Sequence, residues 1–264
     1  MRASAYDNRM AMFLGAVCSQ TYNQYEDPSG NYVVPAGYRV ADNFEAKSFG
    51  GQREPFGFIL ESDDRVILAF RGTSSKTDWI SDAIARQEKY KCVKDGGLSH
   101  KGISDIYYSA RPAILPTLRK LSASGKRLFV TGHSLGGALA TLSAPDMTAN
   151  TRFTHPVVYT FGAPRVGDPA FAGMYAGRVP NSYRVYNVLD AVPLLPPQVY
   201  KSPRTDETYR YMHVQEPITL DFNNGSVSAN HVIGSYYHAL ARRDPAYAIA
   251  LERHNPGFPP SFAY

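Results

Sequence analysis

Nowhere does this sequence string together the roughly 18 to 20 apolar residues that a bilayer-crossing helix needs, so no transmembrane segment is expected. Cysteine is almost missing. Cys18 and Cys92 are the only two, which allows at most one disulfide and gives no metal-ligand spacing; a bridge and two separate buried thiols remain equally open. Charge is sparse, at 19% of residues with a net of +5. Lys89, Lys91, Lys94 and Lys101 form a loose cluster without interleaved aromatics, which reads as a solvated face rather than a nucleic-acid surface. An anionic lipid surface is the other partner such a cluster suits. The N-terminus sets Asp7, Asn8 and Arg9 ahead of a short apolar run and has no cleavage site, so it reads as an amphipathic helix and not a signal peptide. The expected compartment is the cytoplasm, unless the chain is the mature part of an exported protein. Repeats, low-complexity tracts and linkers are also missing.

What is present is an ordinary apolar fraction, 44% of 264 residues, enough to bury one large α/β core over residues 1–264. The pattern predicts helix over Met10–Tyr22, then strands Phe56–Glu61 and Val66–Phe70 joined at "SDDR". A helix follows over Ile103–Leu121, with a kink at Pro112 or Pro116. Strand 128–131, helix 135–146, and strands Val157–Phe161 and Tyr183–Val188 continue the alternation. Ile218–Phe222 followed by "NNGS" predicts a hairpin, and Val232–Arg242 a last helix. Strands alternating with helices imply a mostly parallel central sheet flanked by helices on both faces, with hairpins at its margins.

The most informative stretch is "VTGHSLGGALATL", Val130–Leu142. A buried strand must reverse at once into a helix. The residue at the apex is forced into strained backbone geometry, and its side chain is pushed out above the sheet edge. Gly132 and Gly136 stand two before and two after Ser134, where strand and helix pass closely. This is the G-x-S-x-G nucleophile elbow, with its serine at a helix N-terminus that favours developing negative charge. No Gly-Lys-Ser/Thr follows and G-x-G-x-x-G spacing is absent, which sets aside nucleotide phosphate loops.

A serine needs a base, and the base an orienting acid. In this fold the acid and histidine follow in that order. Asp190 directly follows the strand in "YRVYNVLDAVPLLPP". Its rival Asp168, in "GAPRVGDPAF", looks like the N-cap of a short helix. Four histidines come after Asp190: His213, His231, His238 and His254. His231 opens the last helical stretch on a loop-like approach and is preferred. His238 is interior and reads as packed, while His133, inside the elbow, reads as a supporting hydrogen-bonding residue.

"AFRGTSSKTDWISD", "SHKGISDIY", "GHSLGGALATL", "FGAPRVGDPAF" and "NVLDAVPLLPP" together resemble the class 3 lipase family of α/β-hydrolases, in that family's order, from about Arg65 to Tyr237. The resemblance implies Ser134 as nucleophile, Asp190 as acid and His231 as base. The His231-x-x-x-x-Tyr236-x-His238 spacing is closer to the plant and bacterial branch than to the secreted fungal enzymes. It also implies an oxyanion hole from the Leu135 amide and from Thr73, through its amide and hydroxyl, and a lid at residues 74–86. On a helical wheel Trp79, Ile80, Ala83 and Ile84 share one face of that segment, with Asp78, Ser81, Asp82 and Arg86 opposite. A buried amphipathic helix would show the same pattern. The implied function is a serine carboxylester hydrolase for acylglycerols or related lipid esters, working without metal or cofactor as a monomer. The partners expected are the lipid ester substrate and, through the lid, a transient contact with a lipid interface, with no nucleic acid. The alternative is a lipase-like module that binds without catalysis.

Overall fold

A computed structural model describes residues 5–73, 85–202, 206–214 and 217–261. Helix α1 (Asn8–Glu26) is capped by Asp7, which accepts from the Arg9 and Met10 amides. Strands β1 (Arg39–Lys47), β2 (Arg53–Glu61) and β3 (Arg65–Phe70) follow, then a short ribbon of β4 (Gln87–Lys89) and β5 (Leu98–His100). Helix α2 (Lys101–Leu121) leads to β6 (Arg127–His133), α3 (Leu135–Asn150), β7 (Val157–Phe161), α4 (Pro169–Arg178) and β8 (Ser182–Asn187). A second ribbon, β9 (Val199–Lys201) with β10 (Thr208–Arg210), precedes β11 (Pro217–Leu220). Helices α5 (Val227–His231), α6 (Ile233–Ala241) and α7 (Pro245–His254) complete the described chain.

Seven strands form one sheet in the order β1-β2-β3-β6-β7-β8-β11. From β3 to β11 every neighbour is parallel, while β1 and β2 return antiparallel at one margin. Side chains alternate across a strand, so each central strand feeds two cores. Val66, Leu68, Phe70, Leu128 and Val130 enter one with residues of α2 and α3. Ile67, Ala69 and Phe129 enter the other with residues of α1, α6 and α7. Each such valine, leucine, isoleucine or phenylalanine side chain, buried on folding, stabilises by about 1.5–3 kcal/mol. Helices α2 and α3 are also joined by charge: Arg111 Nε and a terminal guanidinium nitrogen reach Asp146 at 2.6 and 3.0 Å, and the Tyr107 hydroxyl donates to Asp146 Oδ2 at 2.5 Å.

Several expectations need correction. Residues 218–222 do not form a hairpin; β11 pairs parallel with β8, Ile218 opposite Val185. The Asn-Gly pair turns the chain instead into α5, Gly225 taking φ +81° and Ser226 capping the helix. Helix 232–242 begins at Ile233, because extended Val232 (ψ 136°) separates it from α5, and α7 follows it. Helix α2, by contrast, takes in both Pro112 and Pro116, in line with the helix expected over Ile103–Leu121. Cys18 and Cys92 are both free thiols; Cys18 Sγ lies 3.2 Å from the Thr131 hydroxyl. Among the described residues no helix is long and apolar enough to cross a membrane.

Candidate active site

Strand β6 ends at the middle of the sheet, between β3 and β7, and this carboxyl edge is where open α/β sheets place ligands. Ser134 sits at the bend with φ 57° and ψ −127°, a combination L-residues rarely adopt. The strain is held by neighbours: its amide donates to the Phe161 carbonyl at 2.9 Å, and its carbonyl accepts from the Gly137 amide at 3.0 Å. Close passage explains the flanking glycines. A Cβ on Gly132 would stand 2.1 Å from the Gly136 carbonyl oxygen, and one on Gly136 would stand 2.2 Å from that of Phe70.

Three sequence-predicted residues meet here. His231 Nε2 lies 2.8 Å from Ser134 Oγ, and His231 Nδ1 lies 2.7 Å from Asp190 Oδ2. Asp190 is 1% exposed, Ser134 4%. The carboxylate accepts two further bonds, from the Val192 amide to Oδ1 at 2.9 Å and from the Tyr236 hydroxyl to Oδ2 at 2.6 Å. Such an arrangement fixes the imidazole tautomer, with Nδ1 protonated toward the acid and Nε2 able to accept the serine proton.

Residues outside the sequence reading complete the setting. Tyr236 was part of the quoted spacing but had no role there; here its hydroxyl also accepts from the Asn187 amide at 3.1 Å. The Asn187 side chain ties the acid loop to the histidine segment, donating to the Phe222 carbonyl and accepting from the Phe222 amide at 3.0 and 3.2 Å. Gly162 leaves β7 at φ +56°, where a Cβ would meet Asp190 Oδ2 at 2.9 Å and His231 Cε1 at 3.2 Å. The "FGAP" glycine and the "YN" asparagine sit immediately after and at the end of strands, which is the signal that could have found them.

His133 has the supporting role read from sequence. A carbonyl can only accept, so His133 Nε2–H donates to the His231 carbonyl, 2.6 Å away, and Nδ1 is left to accept from Tyr22 Oη at 2.7 Å. Burial, and then the proximity of His231, hold its pKa well below the usual histidine value. The Tyr22 hydroxyl also faces the Gly72 amide, so one chain of polar groups runs from the "FRG" turn through α1 and the elbow to His231.

The other candidates lie as follows. Asp168 caps α4, accepting from the Phe171 and Leu98 amides. His213 donates to the Pro193 carbonyl at 2.7 Å, and His254 to the Ala250 carbonyl at 2.7 Å. His238 lies on α6, half-buried and bonded to the Ser261 backbone. Leu135 opens α3, whose first amides have no carbonyl partner within the helix. Thr73 directly follows Gly72, where a Cβ would stand 3.2 Å from Ser134 Cβ. Trp79, Ile80, Ala83 and Ile84 lie outside the described residues.

The chain is similar in sequence and in fold to known proteins. A lipase of Rhizomucor miehei is 34% identical over 154 residues, 56% of this chain and 42% of that protein. The chloroplastic phospholipase A1-Igamma2 of Arabidopsis thaliana is 30% identical over 280 residues, 79% of this chain and 53% of the relative. The chain thus spans about half the length of these curated relatives. In fold it resembles the crystal structure of a lipase from Rhizopus microsporus var. chinensis, with a TM-score of 0.65 at 24% identity over 81% of this chain and 82% of that one. A triacylglycerol lipase described as having a serine protease triad at its catalytic centre superposes with a TM-score of 0.63 at 22% identity, covering 88% and 94%. The family described as lipase (class 3) matches residues 67–200, a stretch that contains the elbow, the glycine-rich turn after β7 and the acid loop. By that match, and by the relatives that extend on either side of it, this chain belongs to the class 3 lipase family.

Proposed function

We propose that the chain is a serine carboxylester hydrolase that cleaves lipid esters through an acyl-enzyme. The observation that carries this reading is the continuous line Ser134 Oγ, His231 Nε2, His231 Nδ1, Asp190 Oδ2, with contacts of 2.8 and 2.7 Å. Ser134 attacks the ester carbonyl while His231 takes its proton. The imidazolium, steadied by Asp190, returns that proton to the leaving alcohol. Water then attacks the acyl-serine with His231 again as base, and the freed carboxylate leaves. The oxyanion is assigned to the amides of Leu135 and Thr73; loss of one such donor typically raises the barrier by about 3 kcal/mol. The relatives' names, lipase and phospholipase A1, support a lipid ester as substrate.

A fluorophosphonate probe tests the reading directly. It should label the wild-type chain at one residue and leave Ser134→Ala unlabelled, with hydrolysis of nitrophenyl esters falling by about 10⁶-fold in that variant. Absence of labelling in the folded wild-type chain would leave a lipase-like binding module. A chain-length series of nitrophenyl esters beside triglyceride and phospholipid emulsions then defines the substrate.

The amphipathic pattern of residues 74–86 supports a lid that meets a lipid interface. Trp79→Ala is then expected to lower hydrolysis of emulsified esters more than of dissolved short-chain ones. Equal losses on both would contradict a lid.

A further inference from the structure

Helix α1 lies along β6 in step with it. Cys18 Sγ stands 3.2 Å from the Thr131 hydroxyl, and Tyr22 Oη stands 2.7 Å from His133 Nδ1. Four residues of helix rise about 6 Å and two of strand about 6.6 Å, so one alignment satisfies both contacts. Beyond His133 the line continues to His231, whose carbonyl accepts from His133 Nε2–H at 2.6 Å. Extended Val232 ends α5 at His231, and the last carbonyls of a helix lack partners within it. At the other end of the line, Tyr22 Oη accepts from the Gly72 amide. The packing there is close: a Cβ on Gly72 would stand 2.2 Å from Tyr22 Oη and 2.7 Å from the His133 carbonyl oxygen.

The carbonyl at the end of the line forces the direction of every bond in it. Because His133 must donate from Nε2, its Nδ1 accepts and the Tyr22 hydroxyl donates, which leaves the hydroxyl oxygen to accept from Gly72. His231 needs such support. Its helix, Val227–His231, has five residues, far fewer than a helix stable by itself, and Asn230 is its one buried member. Asp190 grips the His231 ring, and a second grip on the backbone fixes the point from which that ring projects. Hydrogen bonds in series polarise one another, so a break at Tyr22 is felt at His231. We propose that Tyr22 is a positioning residue: through His133 it holds the backbone of His231, and through Gly72 it holds the turn leading to Thr73. The base and an oxyanion donor are thereby located from one hydroxyl on α1. This role rests on the ester-hydrolase reading proposed above.

Tyr22→Phe in the full chain keeps the ring and removes the donor. Reactive sites are first counted with a fluorophosphonate, so that kcat refers to folded, reactive chains alone. On a dissolved nitrophenyl ester, kcat per site is expected to fall about tenfold while KM stays within about twofold. A tyrosine that merely filled space would lower the thermal unfolding temperature and leave kcat per site unchanged. His133→Gln breaks the same line at its next member, so the double variant should lose less than the product of the two single losses. The low-field proton resonance of His231 Nδ1–H, which bonds to Asp190, needs neither turnover nor a second variant, and it should shift or broaden in Tyr22→Phe. Unchanged kcat per site, multiplicative losses or an unchanged resonance overturns the role of Tyr22 alone. A folded wild-type chain that neither labels nor hydrolyses overturns the ester-hydrolase reading, and this role with it.

Discussion

A hydroxyl turns nucleophilic only when a neighbour can take its proton, and here the neighbour is gripped at its ring and at its backbone. Asp190 holds the His231 ring through Nδ1, while the neutral His133 holds the His231 carbonyl. Neutrality matters, because the two imidazoles lie 4.6 Å apart between centroids. A second cation at that distance would oppose the imidazolium that the proposed reaction forms as Ser134 gives up its proton. Burial removes that conflict by keeping the His133 pKa low. Asp190 in turn depends on Tyr236, whose hydroxyl shares Oδ2 with His231. Tyr236→Phe removes that donor and keeps the ring. The expected result is a kcat about tenfold lower on a dissolved ester, one step of about 1.4 kcal/mol in the barrier, with KM little changed. A matching rise in KM with kcat preserved would point to a substrate contact instead.

At the scale of elements, the central strands were legible because burial on both faces leaves near-continuous apolar runs, as in "VILAF" and "VVYTF". Ser134 and Asp190 were legible for a related reason, since each comes just after a recognisable strand; His231 was found by chain order, and it closes α5 rather than opening the last helix as expected. Edge strand β1 was not legible, since its sequence "RVADNFEAK" is mostly solvent-facing and lacks an apolar period. Nor was the pairing of β11, because a four-residue strand carries no mark of whether its partner is a hairpin neighbour or the distant β8. Tyr22, Asn187 and Gly162 matter through contacts that only the folded chain creates. The α2–α3 interface offers a test of packing. Asp146 is fully buried and ties Arg111, Tyr107 and Asn150 together. Asp146→Ala leaves that cation without its partner, and urea unfolding should show a loss of about 3–5 kcal/mol. A loss below about 1 kcal/mol would mean that water replaces the carboxylate readily.

For the molecule as a whole, buried histidines set the response to acid. Burial pushes His100 down to about 4 and His213 to about 3, and His133 lies well below its usual value. Unfolded, all three titrate near about 6.5. Between that value and about pH 4 the unfolded chain therefore binds up to about three more protons than the folded one, and stability falls as pH falls. Above about pH 6.5 this dependence disappears. Urea midpoints measured at pH 7, 6 and 5 should decline progressively; equal midpoints would show that these imidazoles are protonated in the native state.

The polar chain through Tyr22 and His133 also bears on how the protein can be cut. The segment matched by the family, residues 67–200, holds Ser134 and Asp190 but neither Tyr22 nor His231. If the proposed function holds, a fragment excised at those limits is expected to be inert, because it lacks both the proposed proton acceptor His231 and the α1 wall behind it. On the proposed mechanism, a fragment able to hydrolyse esters would have to reach from α1 to α6.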